Sequence, residues 1–575
     1  MVTRVAWRVV GGLFAFLVYT CCASRAFDQL WNARAACSAS PHHHRSYFYT
    51  LAPECADIPP QKHNLTSLES ITASHTRVRI SPTAWVMQGE LVGHQPDGGS
   101  LPPGYACSAF IRVLATSGDN RAIPTVIAHR SGYSVRVVLW HTPLSSWNLT
   151  AKLQWVRFDL AGWGWPSHER SCAGRDNSGC LRPSAWPVVS RFAISPPPVE
   201  DGTMDLAKNV SSASTADTAG SKQALCGREA LSHVGLRGGA WHVAGCELPR
   251  ATPQRVKSLL RGKWVLFVGQ STLTEVYFHT LTRARGSDGY ENFQKLSSAT
   301  RSLTDPVFQA EARLCYGKTN FFGRDFDVLR SAQNGSKSQV LPEKVRLTNF
   351  WDGHEHACKN SQGISSLVTT NASSGAASLT TRRGEWLRSM LQGGNSTPQW
   401  LRSMSATSRR GTQFARDQRL EDPENQQDDG ATLGWSEGPD VVIFNSGIHD
   451  MQPGLNVSVY GDRLRALWSW MREWSMHAHF IWMSTGVVVN PRSLRGGNNR
   501  TDCPTGRSYS HPVPVVRLMN QLASQIAIDH GADILDQARL RELTPLAGDG
   551  MHGLGGALNE GTLALLTRLI ELGPR

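Results

Sequence analysis

The chain has 575 residues, too many for one ordinary hydrophobic core, so at least two domains with linkers are expected. Its 40% apolar content and 19 tryptophans exclude a mostly disordered chain. The formal net charge of +13 speaks to association and not to fold. No lysine follows Lys359 and the arginines are scattered, which fits compositional bias better than a polyanion-binding face; no nucleic-acid partner is expected.

Arg4 and Arg8 precede an apolar run from Val9 to Ala23, a positive n-region followed by an h-region of signal-sequence size. Two outcomes are open. Cleavage near Ala23-Ser24 would secrete the protein; retention of residues 1–24 would leave a single anchor, with the arginines on the cytoplasmic side. The run is short for the roughly 20 residues of a full span. The anchored form, a type II protein of the Golgi or another secretory membrane, is the expectation taken forward. No second apolar stretch is long enough to cross a bilayer.

Two features agree with a lumenal chain. Eight N-x-[ST] sequons occur, at Asn64, Asn148, Asn209, Asn334, Asn371, Asn395, Asn456 and Asn499. Of the 12 cysteines only Cys21 and Cys22 fall in the leader, and the rest are even in number, as disulfides in an oxidising compartment require. Cys172/Cys180 and Cys226/Cys246 are the local pairs expected. No C-x-x-C or H-x-x-x-H spacing stands beside them, so no metal site and no bound cofactor are expected. The run His42-His43-His44 reads as an exposed polar tract.

Residues 25–67 read as a stem. From 68 to 195 short β-type runs recur at Arg77 to Ile80, Ala84 to Met87, Ala109 to Leu114, Tyr133 to Trp140 and Leu153 to Phe158, with Gly, Pro and Asn turns between them. This spacing predicts a smaller antiparallel, Ig-like β-sandwich domain. Residues 196–223, opening on a proline run, read as a linker.

From 224 to 575 strands alternate with amphipathic helices, which predicts an α/β domain with a parallel sheet covered on both faces. The strands are read at Trp264 to Val268, Asp440 to Phe444, Phe480 to Met483 and Asp533 to Leu535. Leu464, Leu467, Trp468, Met471 and Trp474 mark one helix face; further helices are read at 272–283, 515–528 and 558–572. The stretch 360–436, rich in Ser, Thr, Gly, Arg and Gln, reads as an exposed insertion.

Ligands of an open parallel sheet bind outside the carboxyl ends of its strands, and three segments fall at such places. Gly269-Gln270-Ser271 follows a strand and opens a helix, where a serine is either an ordinary N-cap or a nucleophile with helix N–H groups beside it. Asn445, Ser446, Gly447, Ile448 and His449 follow a second strand. Asn445 either ties its own loop or donates to an oxyanion, and His449 is a base without an evident partner. Asp549-Gly550-Met551-His552 precedes the last helix; this spacing lets the carboxylate orient the imidazole that a serine needs as base.

This order of Ser, Asn and C-terminal D-x-x-H resembles the SGNH hydrolase superfamily. The blocks Trp241…Cys246-Glu247-Leu248-Pro249, Leu259-Leu260-Arg261-Gly262-Lys263 running on to Ser271, Val345 to Trp351 and Phe444-Asn445-Ser446-Gly447 are similar to the PC-esterase branch. That branch holds plant trichome-birefringence-like polysaccharide O-acetyltransferases and neurexophilin-and-PC-esterase-domain (NXPE) proteins. The resemblance spans about 226–553 and implies a three-layer α/β/α fold. It implies a Ser271, Asp549, His552 triad, with Ser271, Asn445 and Gly447 around the oxyanion. It also implies acyl transfer on a carbohydrate, as a glycan O-acetyltransferase, with a secreted O-acetylesterase or a non-catalytic glycan-binding or adhesion protein as alternatives. The family's aspartate before the serine is Gln270 here.

Overall fold

A computed structural model of the chain describes residues 48–55, 58, 67–70, 76–81, 84–94, 99, 101–142, 146–155, 188–197, 223–284, 321–326, 345–351, 367–370, 377–379, 384, 387–388, 391–392, 438–447, 450, 457–486, 513–544 and 556–575. The fold is mixed α/β with several sheets.

The first ten strands are β1 (Tyr49–Leu51), β2 (Ser67–Ser70), β3 (Thr76–Ser81), β4 (Ala84–His94), β5 (Phe110–Ser117), β6 (Asn120–Ala122), β7 (Thr125–Ala128), β8 (Tyr133–Trp140), β9 (Trp147–Trp155) and β10 (Val188–Ile194). The β-type runs read from sequence overlap β3, β4, β5, β8 and the end of β9, with residues 156–158 of the last run outside the described residues. One sheet has the order β1-β7-β8-β4-β2 with β3 on β4; the other begins β10-β9-β5-β6. Alternation along β8 buries Tyr133, Val135 and Val137, and Trp140 meets Trp147 edge-on with ring centroids 4.8 Å apart. Strand β1 lies inside the segment expected to be a stem. Phe48, Tyr49 and Leu51 are buried, and a Cys55–Cys107 disulfide holds the segment against the β region.

The second sheet does not stop at the linker. Strands β11 (Gly235–Arg237) and β12 (Ala240–His242) continue it through an antiparallel β6–β11 pairing. A Cβ on Gly235 would lie 2.7 Å from the Arg121 carbonyl oxygen and from the Trp140 ring, so this crossing needs glycine. The expected Cys226–Cys246 disulfide is formed beside it, while Cys172 and Cys180 lie outside the described residues.

The remaining strands are β13 (Trp264–Gly269), β14 (Phe321–Phe326), β15 (Val345–Trp351), β16 (Val368–Thr370), β17 (Ala377–Leu379), β18 (Val441–Phe444), β19 (His479–Met483) and β20 (Asp533–Leu535). The principal helices are α1 (Pro253–Leu260), α2 (Ser271–Ala284), α3 (Val457–Trp474), α4 (Val513–Asp529), α5 (Gln537–Leu543) and α6 (Gly556–Leu572). Helix α1 starts where Thr252 accepts from the Arg255 N–H with Pro253 in the first turn.

A third six-stranded sheet has the order β14-β15-β13-β18-β19-β20, parallel except for β14. Its five parallel strands therefore lie second-first-third-fourth-fifth, and the order reverses between β13 and β18. Trp264, Leu266 and Val268 join one core cluster with Leu464, Leu467 and Trp468 of α3 and Met519 of α4. Val265 and Phe267 join another with Leu273, Val276 and Tyr277 of α2 and Leu566 and Leu569 of α6. Both faces of the strands are buried, which is why they read as unbroken apolar runs.

The 360–436 stretch is not wholly exposed. Leu367, Val368, Leu387 and Leu391 are buried within the core cluster that contains α3, and the β16–β17 hairpin is part of this segment. Sequence reading missed it because these residues fall in short apolar pairs, such as Leu367-Val368 and Met390-Leu391, within a stretch dominated by Ser, Thr, Gly and Arg. Leu391→Ala should therefore cost about 2–5 kcal/mol in urea unfolding, as for any filled core position. A change within 0.5 kcal/mol or so, as on a surface, would restore the exposed reading.

The β region and the parallel-sheet region meet through buried arginines. The Arg517 guanidinium lies over the Tyr49 ring at 4.3 Å and donates to the Ile111 carbonyl at 3.2 Å and to Glu542 at 3.3 Å. Arg539 donates to the Ile123 carbonyl at 3.2 Å, and Arg112 pairs with Glu542 at 2.6 Å. At the amino ends of β19 and β20, Asp533 accepts from His479 at 2.7 Å, from Arg228 at 3.0 Å and from Arg575 at 2.8 Å. Among the described residues no helix is long and apolar enough to cross a membrane; residues 1–24 lie outside them.

Candidate active site

Ser271 is the first residue of α2, two positions after the end of β13. The Gln270 carbonyl accepts from the N–H groups of Leu273 and Thr274 at 2.9 and 3.0 Å. The N–H groups of Ser271 and Thr272 thus open the helix, ahead of the first possible acceptor within it. Gly269 packs against the end of β18. A Cβ there would lie 2.7 Å from the Asn445 carbonyl oxygen and 3.1 Å from the Asn445 Cβ, so backbone would have to move. Gly269→Ala should destabilise by about 1–3 kcal/mol, read as a lower unfolding midpoint at unchanged denaturant slope. An unshifted midpoint would show that the strand ends are not in close contact.

Strand β18 ends at Phe444, and the Asn445 N–H donates to the Val268 carbonyl at 2.9 Å, so the two strand ends are fixed side by side. This pair of ends is where the strand order reverses, the place at which an open parallel sheet leaves a crevice. Of the predicted site residues, Ser271 follows the end of β13, and Asn445 and Gly447 follow the end of its neighbour β18. Ile448, His449, Asp549 and His552 lie outside the described residues.

The bonds of Asn445 differ from the expected oxyanion role. Its Nδ2 donates to the Met483 carbonyl at 2.8 Å and to Thr485 Oγ1 at 3.1 Å, while its Oδ1 faces Thr272 Oγ1 at 3.4 Å. Both amide hydrogens are thereby engaged in tying β18 to the end of β19. Thr485 is held in turn: its hydroxyl donates to the Ser446 carbonyl at 2.9 Å and its N–H to Asn520 Oδ1 at 2.8 Å. Gly447 takes a φ of 128°, open in practice to glycine, and its N–H donates to Asp450 Oδ2 at 2.9 Å. Ser446 Oγ donates to the same oxygen at 2.7 Å, and Gln270 Nε2 lies 3.4 Å from it.

No protein-family model matches the chain, and no curated protein matches it. The chemistry is therefore read from the residues at the strand ends.

Asp450 was missed in the sequence, although it directly follows His449. Its carboxylate is fully buried and collects three donors from two segments of chain. The Tyr460 hydroxyl, 3.2 Å from Ser446 Oγ, is pushed well above its ordinary pKa by burial and by the Asp450 charge, so it stays protonated. Thr485 was also missed; its signal was its place just past the carboxyl end of β19. Glu275 of α2 accepts from Asn559 of α6 at 3.4 Å, which anchors the start of the helix that follows Asp549 and His552.

Among the described residues no group of His, Cys, Asp and Glu could hold a metal ion. Asn148, one of the sequon asparagines, is exposed on β9.

Proposed function

We propose that this protein is a serine-dependent acyltransferase acting on carbohydrate: a glycan O-acetyltransferase of the PC-esterase branch of the SGNH hydrolases, held in the secretory pathway by its N-terminal segment. The observation that supports this most is that the chain leading to Ser271 and the Asn445–Gly447 turn leave adjacent strand ends where the strand order reverses. On this reading the parallel-sheet region is the three-layer α/β/α domain of that superfamily, and the other two six-stranded sheets, antiparallel but for the parallel β1–β7 pair, form a sandwich ahead of it.

The reaction would run in two steps. The Ser271 hydroxyl adds to the acetyl carbonyl while His552, oriented by Asp549, takes its proton and passes it to the departing donor group. A sugar hydroxyl then attacks the acetyl-serine, gives its proton to His552, and leaves as the acetyl ester while Ser271 regains its proton. Water in place of the sugar makes the same machinery an O-acetylesterase. Negative charge on the carbonyl oxygen falls first to the N–H of Ser271 at the helix N-terminus. Asn445 and Gly447 would join only by exchanging the bonds they make inside the protein.

Those engaged bonds favour one second reading, a non-catalytic glycan-binding relative. Reaction of the purified lumenal chain with an organophosphonate separates the two: covalent labelling at Ser271 supports the enzyme, and an unlabelled, folded chain supports the second reading. Mass spectrometry of cell-surface glycans with and without the protein then gives the direction. Loss of acetyl groups in its absence marks a transferase, and gain marks an esterase.

A further inference from the structure

Gln270 and Asp450 are both fully buried, and they face each other across the site. An ionised carboxylate only accepts, so the amide nitrogen of Gln270 must be the group turned toward it. The same Asp450 oxygen takes the Ser446 hydroxyl and the Gly447 N–H, which shapes the turn next to Ser271. The Gln270 backbone carbonyl caps the helix that Ser271 opens. One carboxylate thus governs both segments that form the site, through bonds of the charge-assisted kind.

We propose that Asp450 supplies the fixed negative charge of this site and that Gln270 is its matched neutral donor, the two acting as positioning residues for Ser271 and the Ser446–Gly447 turn. The pairing gives a physical reason for glutamine where the resembling family has aspartate. A carboxylate at 270 would confront that of Asp450 with no water between, and one of the two would have to take up a proton. Two groups of α3 also act on this spot: Arg463, whose charge interacts with Asp450, and Tyr460, which reaches it through Ser446.

The catalytic part of this proposal rests on the acyl-serine reading; the charge pairing does not. Gln270→Glu keeps the size of the side chain and changes only its charge. At pH 8 its melting temperature should fall by several degrees, and organophosphonate labelling of Ser271 should slow by about tenfold relative to the unaltered protein. At pH 5, where the introduced carboxyl takes up a proton more readily and can then donate as the glutamine did, both gaps should narrow. Adding Asp450→Asn should abolish the pH dependence of the gap, because one carboxylate then remains. Should Gln270→Glu fail to fold at pH 8, recovery of folding in the double variant supports the pairing and continued failure overturns it. The proposal is also overturned if Gln270→Glu melts and reacts like the unaltered protein at both pH values, or if the pH-dependent gap survives in the double variant. If Ser271 of the unaltered protein is not labelled at either pH, the acyl-serine reading falls, while the melting comparison still decides the pairing.

Discussion

Ser271→Ala should abolish organophosphonate labelling and acetyl transfer while leaving the unfolding midpoint unchanged. The substitution removes one hydroxyl at a helix start, where a serine is not required for the turn: Gly269 and the Gln270 carbonyl already make it. His552→Ala should be about as severe, since a serine without its base is a poor nucleophile and the members of such a unit are not additive. Asp549→Asn should lower the rate by roughly 10⁴-fold, as the amide holds the imidazole in the wrong tautomer. Asn445→Ala should behave differently from all three. Its amide ties Met483 and Thr485 to the end of β18, so its loss should lower stability together with rate. Transfer activity surviving in Ser271→Ala would remove the nucleophile from Ser271 and make His449 the next residue to examine.

Asp533→Asn should lower stability at pH 7 by about 3–5 kcal/mol, as when one partner of a buried ion cluster is removed. Arg228 and Arg575 are partly open to water, which places the expected loss toward the lower figure. Burial alone would raise the Asp533 pKa, but hydrogen bonds from His479, Arg575 and Arg228 outweigh it and hold the carboxyl below its ordinary value of 3.8. The folded state therefore binds its proton less readily than the unfolded chain. The stabilisation is present above pH 3.8 and is lost as pH falls through the lower folded value. Urea unfolding at pH 7 and pH 3 should show a large gap between the two proteins that shrinks on acidification. A gap of equal size at both pH values would mean that Asp533 acts through its shape and not its charge.

The parts of the fold legible in the sequence are those whose neighbours impose a period. Strands β13, β18 and β19 are buried on both faces, so they appear as apolar runs, and the stripe from Leu464 to Met471 in α3 appears as a helix face. Strand β1 was hidden in a segment read as a stem because three residues carry no period. Its Tyr49 is covered by the Phe110 ring, stacked at 5.3 Å, and by Arg517, both distant in the chain. The leucines of the 360–436 stretch were hidden because they fall in short apolar pairs within a polar stretch. Ser271 and Asn445 were visible as polar residues following apolar strands. What Asn445 bonds to was not, since Met483 and Thr485 reach it only once β18 and β19 are in register.

The continuation of one β-sheet across the linker has a consequence for how the protein can be divided. Residues 196–223 look like a cleavage point, yet β6 and β11 on either side of them share backbone hydrogen bonds. A fragment beginning at 224 would bare the β11–β12 hairpin as an unpaired edge, open to pairing with another copy of itself. It would also strand Arg517 and Arg539 without the Ile111 and Ile123 carbonyls that receive them. The two halves are therefore held together by more than the covalent linker. A protease that cut it would leave a nicked protein whose pieces remain together, and only denaturant would part them.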